Sequence, residues 1–212
     1  MPKLLPSSSS KNGEERIGVF RFNPAHLDAK QVGRLRVMSD FYTRQRIQDL
    51  LLPIITQHST ISLRVLDWLV TNYAKKNNVV YEYSPVPGQR LLLNVYAEYK
   101  CWLRNYRRKD FDPFRRRYRI FFDSAEGTVH ETTVGQLNFI YWADRYGVLQ
   151  YTRQNLDCIE KDMNASLALV KKQKEEDQRQ GKKRKRHELS QPPASHCFVY
   201  KNHTITDFGD DE

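Results

Sequence analysis

"RYRIFFDSAEGTVHETTVGQ", residues 117–136, decides the fold class. Its opening residues alternate: Tyr118, Ile120 and Phe122 on one side, Arg117, Arg119 and Phe121 on the other. That is the period of a strand, with basic side chains lining one sheet face. "SAEG" (124–127) supplies a turn with Gly127, and "TVHETTV" (128–134) returns as a second strand. Thr133 and Gln136 then stand at capping-box spacing, so the second strand runs into a helix carrying Leu137, Ile140, Tyr141 and Trp142. A hairpin that feeds a capped helix predicts an α+β domain.

Downstream, Gly147 suits a left-handed helix C-cap. The next helix carries Leu149, Thr152, Leu156, Ile159 and Met163 on one stripe. Past Leu169 the apolar face is lost, and "KKQKEEDQRQGKKRKRHELSQPP" reads as a charged extension passing into a disordered basic tail. "SHCFVYKNHTITDFGDDE" (195–212) regains strand-like residues before an acidic end.

Upstream, residues 90–108 read as a helix with Leu92, Tyr96, Tyr99, Leu103 and Tyr106 toward the core. Lys100, Arg104, Arg107 and Arg108 share another face. "VVYEY" (79–83) reads as a strand and "SPVPG" (84–88) as a loop. Two further helices are expected. One starts at Ser39, with Phe41, Ile47, Leu50, Leu51, Ile54 and Ile55, and is kinked or ended by Pro53. The other follows "HSTIS" (58–62), with Leu63, Leu66, Val70 and Tyr73, and stops at "KKNN". "RIGVFRF" (16–22) reads as a short strand.

The expected architecture is a mainly helical single α+β domain with a small antiparallel sheet, its hairpin near 117–134. Residues 1–38 form a largely disordered arm and 39–169 the folded core. Residues 170–195 form a charged helix extension and basic linker, and 196–212 a short strand with an acidic end. Nearly all periodic apolar positions lie in 60–169, so that span is expected to fold alone.

The chain has 212 residues and a net charge of +10. Aromatics make up 12%, enough to build a core from large rings. The charge is concentrated. From Arg90 to Arg119 ten basic residues face three acids, and from Lys171 to Arg186 nine face three. Local blocks of this kind attract polyanions by releasing their counterions. Three cysteines (Cys101, Cys158 and Cys197) stand far apart, with no CxxC pair, which fits a reducing compartment. "MPKLLPSSSS" lacks the apolar core of a signal peptide, and no run approaches a membrane span. A soluble protein, inside a cell or in a particle assembled there, is expected.

The arginine and aromatic block at 106–122 is the leading site. Guanidinium groups grip phosphates bidentately and stack on bases. Phe111, Phe114, Phe121 and Phe122 are expected mostly in the core. The candidate nucleic-acid contacts are Lys100, Arg104, Arg107, Arg108, Arg115, Arg116, Arg117 and Arg119. Lys182, Lys183, Arg184, Lys185 and Arg186 form a separate tract, a basic tail or an import signal. The helices flanking Gly147 allow a helix-turn-helix reading, with Gln150, Arg153 and Gln154 toward bases, against the commoner helical hairpin. His187, His196, Cys197 and His203 match no standard zinc spacing. His130 and Glu131 lack a nucleophile elbow or phosphate loop beside them. Asp67, Asp110, Asp112 and Asp123 are scattered, and only folding could gather them around Mg²⁺. No cofactor and no metal are therefore expected.

The segments "ISLRVLDWLVTNYAKKNN", "YKCWLRNYRRKDFDPFRRRYRIFF", "TTVGQLNFIYWADRYGVLQY" and "KKRKRHELS", in this order over roughly residues 60–208, resemble an uncharacterised protein family of nucleocytoplasmic large DNA viruses. Arg115 stands where that family's pattern has a cysteine, so no metal or redox role is carried to this position. The resemblance implies a large DNA virus as the setting and brings no catalytic residues.

The leading expectation is a non-enzymatic viral nucleic-acid-binding protein acting in genome handling, transcription or packaging. DNA or RNA is the partner, and the host nucleus, a cytoplasmic viral factory or the virion is the location. The alternative is a structural virion protein, of minor-capsid type, docking through its basic surface on an acidic viral protein or internal membrane. A metal-dependent nuclease ranks third.

Overall fold

The computed structural model describes residues 14–84 and 89–179. β1 (Glu15–Ile17) and β2 (Phe20–Phe22) form a hairpin around Gly18, whose φ of 58° favours glycine. α1 (Ala29–Phe41) follows, opened by a capping box between Asp28 and Gln31. α2 joins three abutting pieces, Arg44–Arg46, Ile47–Leu51 and Leu52–Ile55, the middle one a π turn. α3 is built the same way from Leu63–Trp68, Leu69–Tyr73 and Ala74–Lys76. β3 (Val80–Tyr83) and β4 (Leu91–Asn94) make a two-stranded antiparallel sheet of their own. Then come α4 (Val95–Asn105), β5 (Arg119–Asp123), β6 (Val129–Thr133), α5 (Val134–Arg145), α6 (Val148–Gln154) and α7 (Leu156–Arg179). The protein is a mainly helical α+β domain. The compact unit closes at Val170, and Lys171 to Asp177 are exposed. None of the described helices is long and apolar enough to cross a membrane.

The hairpin at 117–136 forms as its pattern demands. β5 and β6 pair antiparallel, with Ile120 opposite Thr132 and Phe122 opposite His130. Ile120 and Phe122 are buried, while Arg119 and Asp123 face out. Gly127 takes a φ of 78° in the turn. Thr133 caps α5 by accepting from the Gln136 amide. The Gln136 side chain does not complete the box and accepts from the Thr132 hydroxyl instead. Gly147, at φ 71°, separates α5 from α6 as expected.

The largest departure lies at the N-terminus. The order of the larger sheet is β1-β2-β5-β6, so β2 is an inner strand rather than part of a disordered arm. Phe20 pairs opposite Phe122, and the two rings meet edge to face. Phe20, Phe22, Leu35 and Tyr42 are all fully buried. The folded core therefore begins near residue 15, not 39. A β2–β5 pairing joins segments about a hundred residues apart, a contact that no local pattern announces.

Three smaller corrections concern helix boundaries. The helix expected over 90–108 starts at Val95, because Asn94 caps it by accepting from the Ala97 amide. Leu92 belongs to β4 and is 76% exposed, so it leaves the core stripe, while Tyr99 stays in it. The helix expected after Gly147 is interrupted at Asn155, though Leu149, Thr152, Ile159 and Met163 of its stripe are buried as expected and Leu156 is half-buried. Pro53 lies inside α2, just after the π turn. The wider turn lets the helix pass a residue that lacks an N–H before ending at Ile55.

One buried charge ties the N-terminal part to the basic block. Asp110 is fully buried. Its carboxylate accepts from Gln31 Nε2 at 2.7 Å, Arg34 Nη1 at 3.1 Å and Arg107 Nε at 3.0 Å. Its main-chain carbonyl accepts from Asn138 of α5 at 2.7 Å. Next to it, Phe111 packs against Tyr99, Phe139 and Trp142.

Two outcomes are expected. A span of residues 60–169 will show no cooperative melting, whereas 14–170 will. The shorter span lacks several core side chains, each of which costs about 2–5 kcal/mol to remove, and the total stability of a domain is only about 5–15 kcal/mol. Asp110→Ala in the full chain will lower stability by about 3 kcal/mol in denaturant titration. That is the low end for a broken buried pair, because Arg34 and Arg107 keep some contact with water.

Candidate functional site

The basic block divides into arginines that hold the fold and arginines that do not. Arg107 donates to Asp28 at 2.6 Å as well as to Asp110. Its guanidinium holds the Asp28 carboxyl below the usual carboxylate range. Arg119 reaches across the hairpin to Glu131 at 2.5 Å. Lys100 lies 5.6 Å from the Tyr96 ring, and Lys109 donates to the Tyr118 hydroxyl. Arg104, Arg108, Arg116 and Arg117 are exposed and form no ion pair among the described residues. The tract Lys182–Arg186 lies outside the described residues, as do His187, His196, Cys197 and His203.

Arg115, Arg116 and Arg119 come together in a cleft of about 750 Å³. One wall is the end of α2 and the loop after it, with Ile54, Ile55 and Gln57. A second is the start of α3, with Leu63 and Arg64. The third is the 113–116 turn with Phe114, flanked by Glu131 of β6 and Gln136 of α5. Four guanidinium groups thus face one carboxylate, a surplus of three positive charges. Arg64 was not among the expected contacts. It sits alone in sequence, far from either basic block, and only the folded chain brings it here.

Arg115 is the most unusual member. Its guanidinium lies 5.5 Å over the Tyr118 ring. Among the described residues it has no carboxylate partner, and its buried Nε has no hydrogen-bond partner. A buried donor left unmet is costly, and such a group in a native fold calls for an explanation.

The turn that carries these arginines is held tightly. Gly135 lies so close to it that a Cβ there would stand 2.3 Å from the Asp112 carbonyl oxygen. Asp112 Oδ1 accepts from the Phe114 amide, turning the chain outward. Phe111 and Phe122 lie in the core as expected, but Phe114 does not: it is 53% exposed. Tyr118 takes a φ of 63°, rare for a bulky residue, which breaks the strand alternation expected from Arg117 onward. Gln57 also adopts a left-handed φ, 62°, where the loop leaves α2.

The other candidates do not converge. Asp110 is occupied by its three donors, and Asp123 accepts from Arg21. Burial, with the nearby Asp112 charge second, pushes the Asp67 carboxyl up. No group of three or more His, Cys, Asp or Glu stands together among the described residues. His130 stacks on Phe122, and Glu131 is bound to Arg119. Gln150, Arg153 and Gln154 are exposed on the short α6.

Comparison with known proteins gives a family and a setting. Residues 23–205 match a family described as "Family of unknown function (DUF7197)". The chain is also similar to "Uncharacterized protein L507" of Acanthamoeba polyphaga mimivirus. The two are 38% identical over 135 residues, which is 61% of this chain and 52% of that protein. The match thus spans about half the length of the viral relative. No solved structure matches.

The Gln57 backbone has a measurable consequence. His58 and Gln57 donate back to Pro53 and Ile54, the two bonds of a Schellman cap, in which the left-handed position favours glycine. Gln57→Gly should raise stability by about 1 kcal/mol, read as a higher denaturant midpoint with an unchanged slope.

Proposed function

This chain belongs to that family of unknown function, and from the geometry we propose that it binds nucleic acid in the handling, transcription or packaging of a viral genome. One observation carries the reading. Arg64, Arg115 and Arg116 meet in the cleft with no carboxylate partner among the described residues. Clustered like charges repel one another and raise the local potential. A fold keeps such a cluster at a cost, and a polyanion turns that cost into binding free energy by shedding its counterions. Guanidinium suits this role better than ammonium, since its planar fork meets two phosphate oxygens at once. The lining offers no base-reading helix, so weak sequence preference goes with the reading. The basic tract Lys182–Arg186 would add sequence-independent attraction.

A second reading has its own observation. On one face of the small β3–β4 sheet Val80 and Leu92 are exposed, and exposed apolar side chains suit docking on another protein of a particle. The cleft favours the first reading, because its charge is both concentrated and held in place.

The test is a salt titration of DNA and RNA binding by the full chain and by a variant with Arg64→Ala, Arg115→Ala and Arg116→Ala. Wild-type affinity should fall steeply with salt. The variant should still unfold cooperatively and bind more weakly at low salt. Its log–log slope should be shallower by about 2 for single strands and about 3 for duplexes, because three phosphates are no longer neutralised. Absent binding at low salt, or binding indifferent to salt, would exclude the proposal and favour the docking reading.

A further inference from the structure

Phe114 is an aromatic cleft residue that the electrostatic argument does not use. It follows the buried Pro113, is 53% exposed, and has no aromatic partner among the described residues. Nothing about folding favours a half-exposed phenylalanine beside three arginines. Its backbone amide is tied to Asp112 Oδ1, so the ring is displayed from a constrained turn. Ile54, Ile55 and Leu63 supply an apolar surface in the same cleft, and Arg64, Arg115 and Arg116 supply cations.

We infer that the cleft takes a single strand, with an unpaired base stacked on Phe114 and the adjoining phosphates on Arg64, Arg115 and Arg116. This rests on the nucleic-acid reading above and narrows its ligand. The combination of a ring, an apolar surface and cations is the recognition chemistry of unpaired nucleotides. A duplex keeps its base faces inside its own stack and offers a wall only phosphates and groove edges. Wedges that pry a duplex open project from a surface, whereas Phe114 lines a concavity. The cleft volume of about 750 Å³ lies within the range of pockets that enclose small ligands, so it holds on the order of one or two nucleotides and not a duplex.

The experiment measures anisotropy of three labelled probes with the full chain at low salt. They are an oligothymidylate of about twelve nucleotides, a duplex of the same length, and a strand of abasic phosphate spacers with the same charge. Wild type should bind oligothymidylate roughly tenfold more tightly than the abasic strand. Phe114→Ala should erase that difference and leave abasic and duplex binding unchanged, while Phe114→Trp should keep it. A melting curve for each variant checks the fold, which an exposed ring should not govern. Equal binding of the base-bearing and abasic strands, or an unaltered preference in Phe114→Ala, would overturn the stacking inference and leave the nucleic-acid reading standing. Failure of all three probes to bind at low salt would overturn the nucleic-acid reading, and the inference with it.

Discussion

The buried carboxylate of Asp110 is the constraint on which the rest depends. A carboxylate out of water must be met by donors or it unfolds its surroundings. Here the donors come from two directions: Gln31 and Arg34 from α1, and Arg107 from its own segment. Satisfying one charge therefore pins α1 to the end of α4. The Asp110 carbonyl, held by Asn138, pins the same segment to α5. Phe111 is thereby driven into the aromatic core, and the chain leaves that anchor with Asp112, Pro113 and Phe114 already directed at the cleft. Arg34 stacks on Tyr106 at 4.2 Å, so the lock carries packing as well as charge. Part of the basic block thus serves the fold, which answers why so many guanidinium groups stand together.

Legibility in the sequence follows the range of the interactions. The β5–β6 hairpin, the Thr133 cap, the left-handed Gly147 and the stripe through Leu149 and Met163 are decided by residues within a few positions, and they are readable. α1 is not, for a chemical reason. Its buried face includes Gln31, a polar residue that reads as surface until its partner Asp110 is known. β2 is visible as a strand, but its place beside β5 is not, since Phe20 and Phe122 find each other only in the folded chain. The same holds at the cleft. Arg115, Arg116 and Arg119 are legible as a cluster because they are neighbours in sequence. Arg64 is not, and Phe114 reads as core because exposure of a phenylalanine has no local signature.

The cleft also explains two positions that local rules disfavour. Tyr118 lies between Arg117 and Arg119 with a left-handed backbone, a conformation that costs about 1–2 kcal/mol for a residue with a Cβ. Its surroundings over-determine it. Lys109 donates to its hydroxyl, the Arg115 guanidinium lies over its ring, and its carbonyl accepts from the Val134 amide at the start of α5. An ordinary strand residue here would continue the alternation toward Arg117 and carry β5 straight on. The left-handed step ends the strand at Arg119, so the chain before it can fold back as the turn holding Arg115 and Arg116.

The close contact at Gly135 completes that arrangement from the other side. The Asp112 carbonyl sits where any side chain at 135 would have to be, so the arginine turn rests directly on the first turn of α5. α5 begins at Val134, straight after β6, whose outward-facing Glu131 binds Arg119. Turn, hairpin and helix are therefore one mechanical unit. Arginines on a free loop could relax away from one another and spread their charge into solvent. Held against a helix, Arg115 and Arg116 cannot, and Arg115 is left beside Tyr118 with a buried nitrogen unmet. Rigidity is what converts a basic stretch of sequence into a place of high potential, and in the role we propose it would keep the entropy of ordering these side chains out of the free energy of binding.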